Sequence, residues 1–127
     1  YEILPYYNSI FMDIVCETWH EGQCFLPNEK TGRPIIARTP FIAYAGKDFL
    51  KNMRKAGFQT FDRWWSEEYD KHEGVQRIQH MLKEIKKISG YSIDRLQEMH
   101  QEMNPVLEHN YKLIKLLTPN TLREKFQ

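Results

Sequence analysis

The stretch Pro27-Asn28-Glu29-Lys30-Thr31-Gly32-Arg33-Pro34-Ile35, with the apolar run Pro40-Phe41-Ile42-Ala43-Tyr44-Ala45 behind it, decides the fold. Asn28 is a residue type that caps helices, so a helix is expected from Glu29 to about Arg38. Pro34 is placed in or near its first turn, where a missing N–H costs little. Phe41 to Ala45 is short, apolar and partly β-branched and reads as a buried strand. An acid beside a base at a helix start, next to a strand, suggests a phosphorylated ligand, because helix N-termini and the loop ends of parallel strands bind phosphates.

Outward from there the same alternation continues. Upstream, Ser9 to Cys16 is a second apolar strand that delivers Glu17 and Thr18 at its end. Trp19 to Pro27, with Gly22 and Pro27, reads as a loop. Downstream, Asp48 to Ala56 is amphipathic and Gly57 closes it as a C′ residue. A third strand is expected at Phe58-Gln59-Thr60-Phe61. The series β-α-β-α-β predicts an α/β fold, a Rossmann-like three-layer domain on a short parallel sheet with right-handed crossovers. Past residue 70 the texture is helical. Ile78, Met81, Leu82, Ile85 and Ile88 recur at helical spacing up to Ser89-Gly90, and Ser92 caps a helix carrying Ile93, Leu96, Met99 and Met103. Pro105 is expected to break or kink it ahead of a last segment with Val106, Leu107, Tyr111, Ile114 and Leu117. The expected organisation is one domain, with residues 1–70 forming the sheet and residues 71–127 the helical part.

Composition bounds the function. With 127 residues, 41% hydrophobic and 28% charged, the chain is of ordinary globular type, and its net charge of +1 argues against extended nucleic-acid contact. No apolar run reaches the length of a membrane span, and the two cysteines, Cys16 and Cys24, fit a reducing compartment, so a soluble cytoplasmic protein is expected. The start at Tyr1 suggests a fragment of a longer two-domain protein.

The run from Phe11 to Ala45, an apolar strand ending in Glu17, then a loop, Glu29-Lys30 and a second apolar strand, resembles the donor-binding half of GT-B glycosyltransferases. It is similar in particular to the α-1,3-fucosyltransferase pattern of a strand ending in Phe-Glu-Asn followed by Thr-Glu-Lys and a helix. The order from Gly57-Phe58-Gln59-Thr60-Phe61 to Glu68-Tyr69-Asp70 also resembles uncharacterised bacterial and phage proteins. The resemblance covers residues 1–70. It implies that Glu29 accepts hydrogen bonds from the donor's ribose hydroxyls, as a carboxylate can from a vicinal diol. It implies that Lys30 meets the diphosphate and offsets the charge on the leaving nucleotide, with Glu17 near the sugar or nucleotide. Asn28 stands where the pattern has threonine, and Thr31 where it has an apolar residue. Arg33 has no counterpart there, but one helical turn from Lys30 it reaches the same phosphate or is a solvated surface arginine. For Glu29 and Lys30 the bland alternative is a helix cap paired with solvent, and for Glu17 a cap on a neighbouring helix.

The implied ligand is a nucleoside diphosphate sugar, bound as substrate without a cofactor or a required metal, with the catalytic base on an acceptor domain outside this chain. Cys16, His20 and Cys24 have soft-ligand chemistry at a spacing of four but lack a fourth ligand for zinc. His72, His80, His100 and His109 have no nucleophile motif beside them and read as surface residues. Trp64 and Trp65 favour packing over sugar stacking. Asp62, Glu67, Glu68 and Asp70 either supply a base or, more simply, solvate or cap the following helix. The competing reading is a non-catalytic interaction or structural module that uses the apolar stripes of its helices. A nucleotide hydrolase is disfavoured, since neither a Gly-x-x-x-x-Gly-Lys-Ser/Thr loop nor a Gly-x-Gly-x-x-Gly fingerprint occurs.

Overall fold

The computed structural model describes residues 10–17 and 29–116, with the backbone alone for residues 29–31. The Trp19–Pro27 loop, His20, Cys24 and Leu117 lie outside the described residues. The order is β1 (Asp13–Cys16), α1 (Glu29–Ile36), β2 (Phe41–Tyr44), α2 (Phe49–Lys55), a 3-10 turn (Glu68–Lys71), α3 (Gly74–Ser89) and α4 (Ile93–Leu116). The architecture is mixed α/β.

β1 and β2 pair in parallel, with Asp13 opposite Phe41 and Cys16 opposite Tyr44. α1 joins them by packing on β1 and α4, whereas α3 packs on β2 and the 3-10 turn. β2 is buried over Phe41, Ile42 and Ala43, as strands of parallel sheets covered on both faces are. The core beside it is aromatic. Phe41 meets Phe61 edge-on at 5.4 Å between ring centroids, and Phe61 meets Trp65 at 5.7 Å. Trp65 is thus a packing residue, while half-buried Trp64 donates its indole N–H to Glu102.

The expected third strand is absent. Phe58 to Phe61 is irregular, and its backbone groups are taken by side chains instead of by a neighbouring strand. The amide of buried Asn110 accepts from the Gln59 N–H at 2.8 Å and donates to the Gln59 carbonyl at 2.9 Å. Glu67 accepts from the Phe61 N–H. The sheet edge where a third strand would dock is also occupied. The Ala43 N–H donates to the Tyr69 hydroxyl, and the Ala43 carbonyl accepts from Arg77. Among the described residues the sheet therefore has two strands, β1 and β2. Replacing Asn110 by Ala removes both bonds and leaves two backbone groups of Gln59 to find water; a loss of about 2 kcal/mol is expected in urea denaturation followed by circular dichroism.

Three helix expectations also change. α1 stops at Ile36, because Arg38 turns left-handed (φ 53°) and the Thr39 N–H closes back on the Pro34 carbonyl. Pro34 is the sixth residue of α1, just beyond its first turn. α3 buries Arg77, Met81, Glu84 and Ile88, leaving Ile78 and Leu82 exposed, because the helix is rolled to bring Arg77 under β2. α4 runs unbroken through Pro105, whose neighbours Met103, Val106 and Leu107 are all buried and hold the helix in place. Two signals hold as read: Ser92 Oγ accepts from the Arg95 N–H at the start of α4, and Gly57 (φ 105°) follows α2.

Candidate site at the carboxyl end of the sheet

Parallel pairing fixes which residues share an end. α1 enters β2 at its amino end through the short turn at residues 37–40, so the first turn of α1 lies toward the carboxyl ends of both strands. Glu29, Lys30 and Thr31 form that turn, although their side chains lie outside the described residues. Its leading N–H groups have no intrahelical acceptors and carry the positive end of the helix dipole. Arg33 is half-buried and lies four residues on, about 6 Å further along the helix axis.

Glu17 follows β1 directly. Its N–H donates to the Tyr44 carbonyl at 3.0 Å, extending the ladder by one bond, and only 2% of the residue is exposed. A carboxylate so withdrawn from water has its rotamers restricted by packing. The arrangement gathers Glu17 and the first turn of α1 at one end of the sheet, with Arg33 behind them.

The loop leaving β2 forms the other side of this end, and a buried network holds it. Arg77 is fully buried. Its guanidinium donates to the carbonyls of Ala43 (2.7 Å), Gly46 (3.3 Å), Tyr69 (3.2 Å) and His72 (3.2 Å), and meets Asp70 at 3.4 Å. Loss of water pulls the Arg77 pKa down, while Asp70 and Tyr69 oppose that shift. Asp70, 3% exposed, accepts from the N–H groups of Leu50 (2.9 Å) and Lys51 (3.1 Å), and its own carbonyl accepts from Asp48. It thus caps α2, the helix before it in sequence rather than the one after. Asp48, at φ 67°, takes the left-handed turn into that helix, a conformation that Asp tolerates better than most side chains. Burial raises the Tyr69 hydroxyl pKa, so it stays a neutral hydrogen-bonding group.

Sequence reasoning counted Asp70 among connector acids and passed over Arg77 and Tyr69. The signal open to it was the spacing, since Asp70 and Arg77 flank the start of α3 two turns apart. Among the described residues no group of three or more His, Cys, Asp or Glu is placed to hold a metal ion, and no helix is long and apolar enough to cross a membrane. A cavity of about 570 Å³ lies at the amino end of the sheet, lined by Phe11, Thr39 and Leu96 among others, and so apart from Glu17. Comparison with family models, with curated proteins and with solved structures finds no match to this chain.

Proposed function

We propose that this chain is the donor-binding part of a glycosyltransferase, a Rossmann-like half that holds a nucleoside diphosphate sugar at the carboxyl end of β1 and β2. The observation that carries the reading is the parallel register of the two strands, which sets Glu17 and the first turn of α1 at the same end. In parallel α/β folds that is the end where ligands bind, with phosphates at helix N-termini. In this reading Lys30 and the N–H groups around Thr31 take the diphosphate, Glu29 takes the ribose diol, and Arg33 adds a second cation along α1. Glu17 orients the sugar or the nucleotide. The Arg77 and Asp70 network keeps the loop after β2 in one geometry, so little ordering is left to be done on binding. The chain holds the donor, and transfer requires an acceptor-binding partner domain.

Calorimetric titration with a panel of nucleoside diphosphate sugars tests this. Binding below about 1 mM is expected, with Lys30→Ala and Glu29→Ala each weakening it about tenfold, the scale of one charge-assisted hydrogen bond. Thermal stabilisation by a guanosine but not a uridine diphosphate would mark the fucosyl type. No binding at about millimolar concentration would leave the alternative, a non-catalytic module, which the exposed stripe Val75, Ile78 and Leu82 on α3 favours.

A further inference from the structure

Glu67 is a buried titratable group outside the site at the carboxyl end of the sheet. Its side chain is 5% exposed, and it accepts from the Phe61 N–H at 3.0 Å and from the Thr60 hydroxyl. Arg54 Nη1 completes the cluster, donating to Thr60 Oγ1 at 2.9 Å and to Glu67 Oε1 at 3.3 Å. Those two bonds fix the plane of a guanidinium that is otherwise open, with 44% of its side chain exposed. Its Nε–H and Nη2–H groups meet no acceptor among the described residues. They form the edge of the fork that takes a carboxylate through two parallel bonds.

Arg54 lines a cavity of about 350 Å³ between α2, the irregular segment 58–63 and α4. The size suits a small organic ligand. Phe58 and Val106, both buried, supply an apolar wall, and exposed Asp62 and Arg63 add one charge of each sign. Burial pushes the Glu67 carboxyl up to about 7, so below that pH Arg54 loses its counter-ion. Arg54 and Arg63 then outweigh Asp62 by a single positive charge, which ionised Glu67 would cancel. Asp62 and, from the 3-10 turn, Tyr69 also face Glu67; Asp62 raises its pKa, and Tyr69 stays neutral. On α3, Glu84 is engaged by the Ser66 N–H and Lys87. A perturbed carboxyl beside a cleft can link ligand binding to a proton.

We propose that this cavity binds a small organic monocarboxylate with an apolar body, its carboxylate held in the Arg54 fork and its body against Phe58 and Val106. Binding takes up a proton, because the ligand's charge beside Arg54 replaces that of Glu67. A phosphate monoester shares the oxyanion chemistry but brings a second charge that the lining does not balance. The cavity shares no residue with Glu17 or the first turn of α1 and does not depend on the assignment of the nucleotide site.

Titration of the full chain with phenylacetate, followed by amide chemical shifts, tests this. Saturating shifts are expected at Thr60, Asp62 and Arg63, with a Kd at or below about 1 mM. Benzyl alcohol, which lacks the charge, and acetate, which lacks the body, should each bind at least about tenfold more weakly. Affinity should be about tenfold higher at about pH 5.5 than at about pH 8, phenylacetate being ionised at both. Glu67→Gln should keep the tighter value throughout, and His109 of α4, beside the Gly57 carbonyl, is common to both proteins. Arg54→Lys keeps a cation beside Glu67 but not the fork, and should weaken binding about tenfold with an unchanged circular dichroism spectrum. The proposal is overturned if phenylacetate does not bind, if it shifts other amides, or if Arg54→Lys binds it as the native chain does. Equal affinity at the two pH values, or binding of benzyl alcohol or phenyl phosphate as tight as that of phenylacetate, overturns it equally.

Discussion

Replacing Arg77 by Ala should lower stability by about 3–5 kcal/mol, the cost of removing one partner from a buried charged network. The side chain is fully buried and satisfies carbonyls from β2, the loop after it, the 3-10 turn and His72 just after that turn, so its loss unties these segments at once. Asp70 is left with a buried negative charge facing the N–H groups of Leu50 and Lys51. Urea denaturation should show the midpoint fall with little change in slope. Arg77→Lys should recover only part of the loss, since a single ammonium cannot reproduce the planar fork that reaches Ala43 and Gly46 together. Near-normal stability in Arg77→Ala would mean that water replaces the guanidinium and that the network does not hold the loop.

The elements that local pattern decides were legible in the sequence. β1, α1, β2 and α2 follow from short apolar runs, a cap residue and a helix-closing glycine, all of which act within a few residues. Phe58 to Phe61 shows where that ends. Its apolar spacing matches a strand, but Asn110, on a helix 51 residues beyond Gln59, takes the backbone groups a strand would have used. Periodicity carries no term for a side chain that imitates a neighbouring strand. The same holds in part for α3: of its apolar stripe Met81 and Ile88 are buried and Ile85 packs against the core, but Ile78 and Leu82 are exposed, because the buried face also takes in Arg77, which reaches Ala43. For the candidate site, chain order shows that Glu17 and the start of α1 share an end of the sheet. It could not show the Arg77 and Asp70 network behind that end, whose members lie on three elements.

Glu67 should make the protein less stable as pH rises from about 4.5 to about 7. Its side chain is 5% exposed, and burial pushes its carboxyl up from 4.5 to about 7, against the opposing pull of Thr60, the Phe61 N–H and Arg54. A group whose folded-state pKa is raised binds its proton more tightly when folded. Its stabilising contribution is therefore full below pH 4.5 and is lost as pH climbs through about 7. A rise of about 2.5 units at about 1.4 kcal/mol each gives roughly 3 kcal/mol over that window. Glu67→Gln removes the titration and keeps an oxygen that can accept from Phe61. The readout is the difference in urea stability between the native chain and Glu67→Gln, measured at pH 5 and pH 8, which cancels the histidines common to both. The variant should gain on the native chain by about 2–3 kcal/mol between those two pH values. Parallel pH profiles would show instead that Arg54, Thr60 and the Phe61 N–H hold the carboxylate charged, the geometry of three donors outweighing the loss of water.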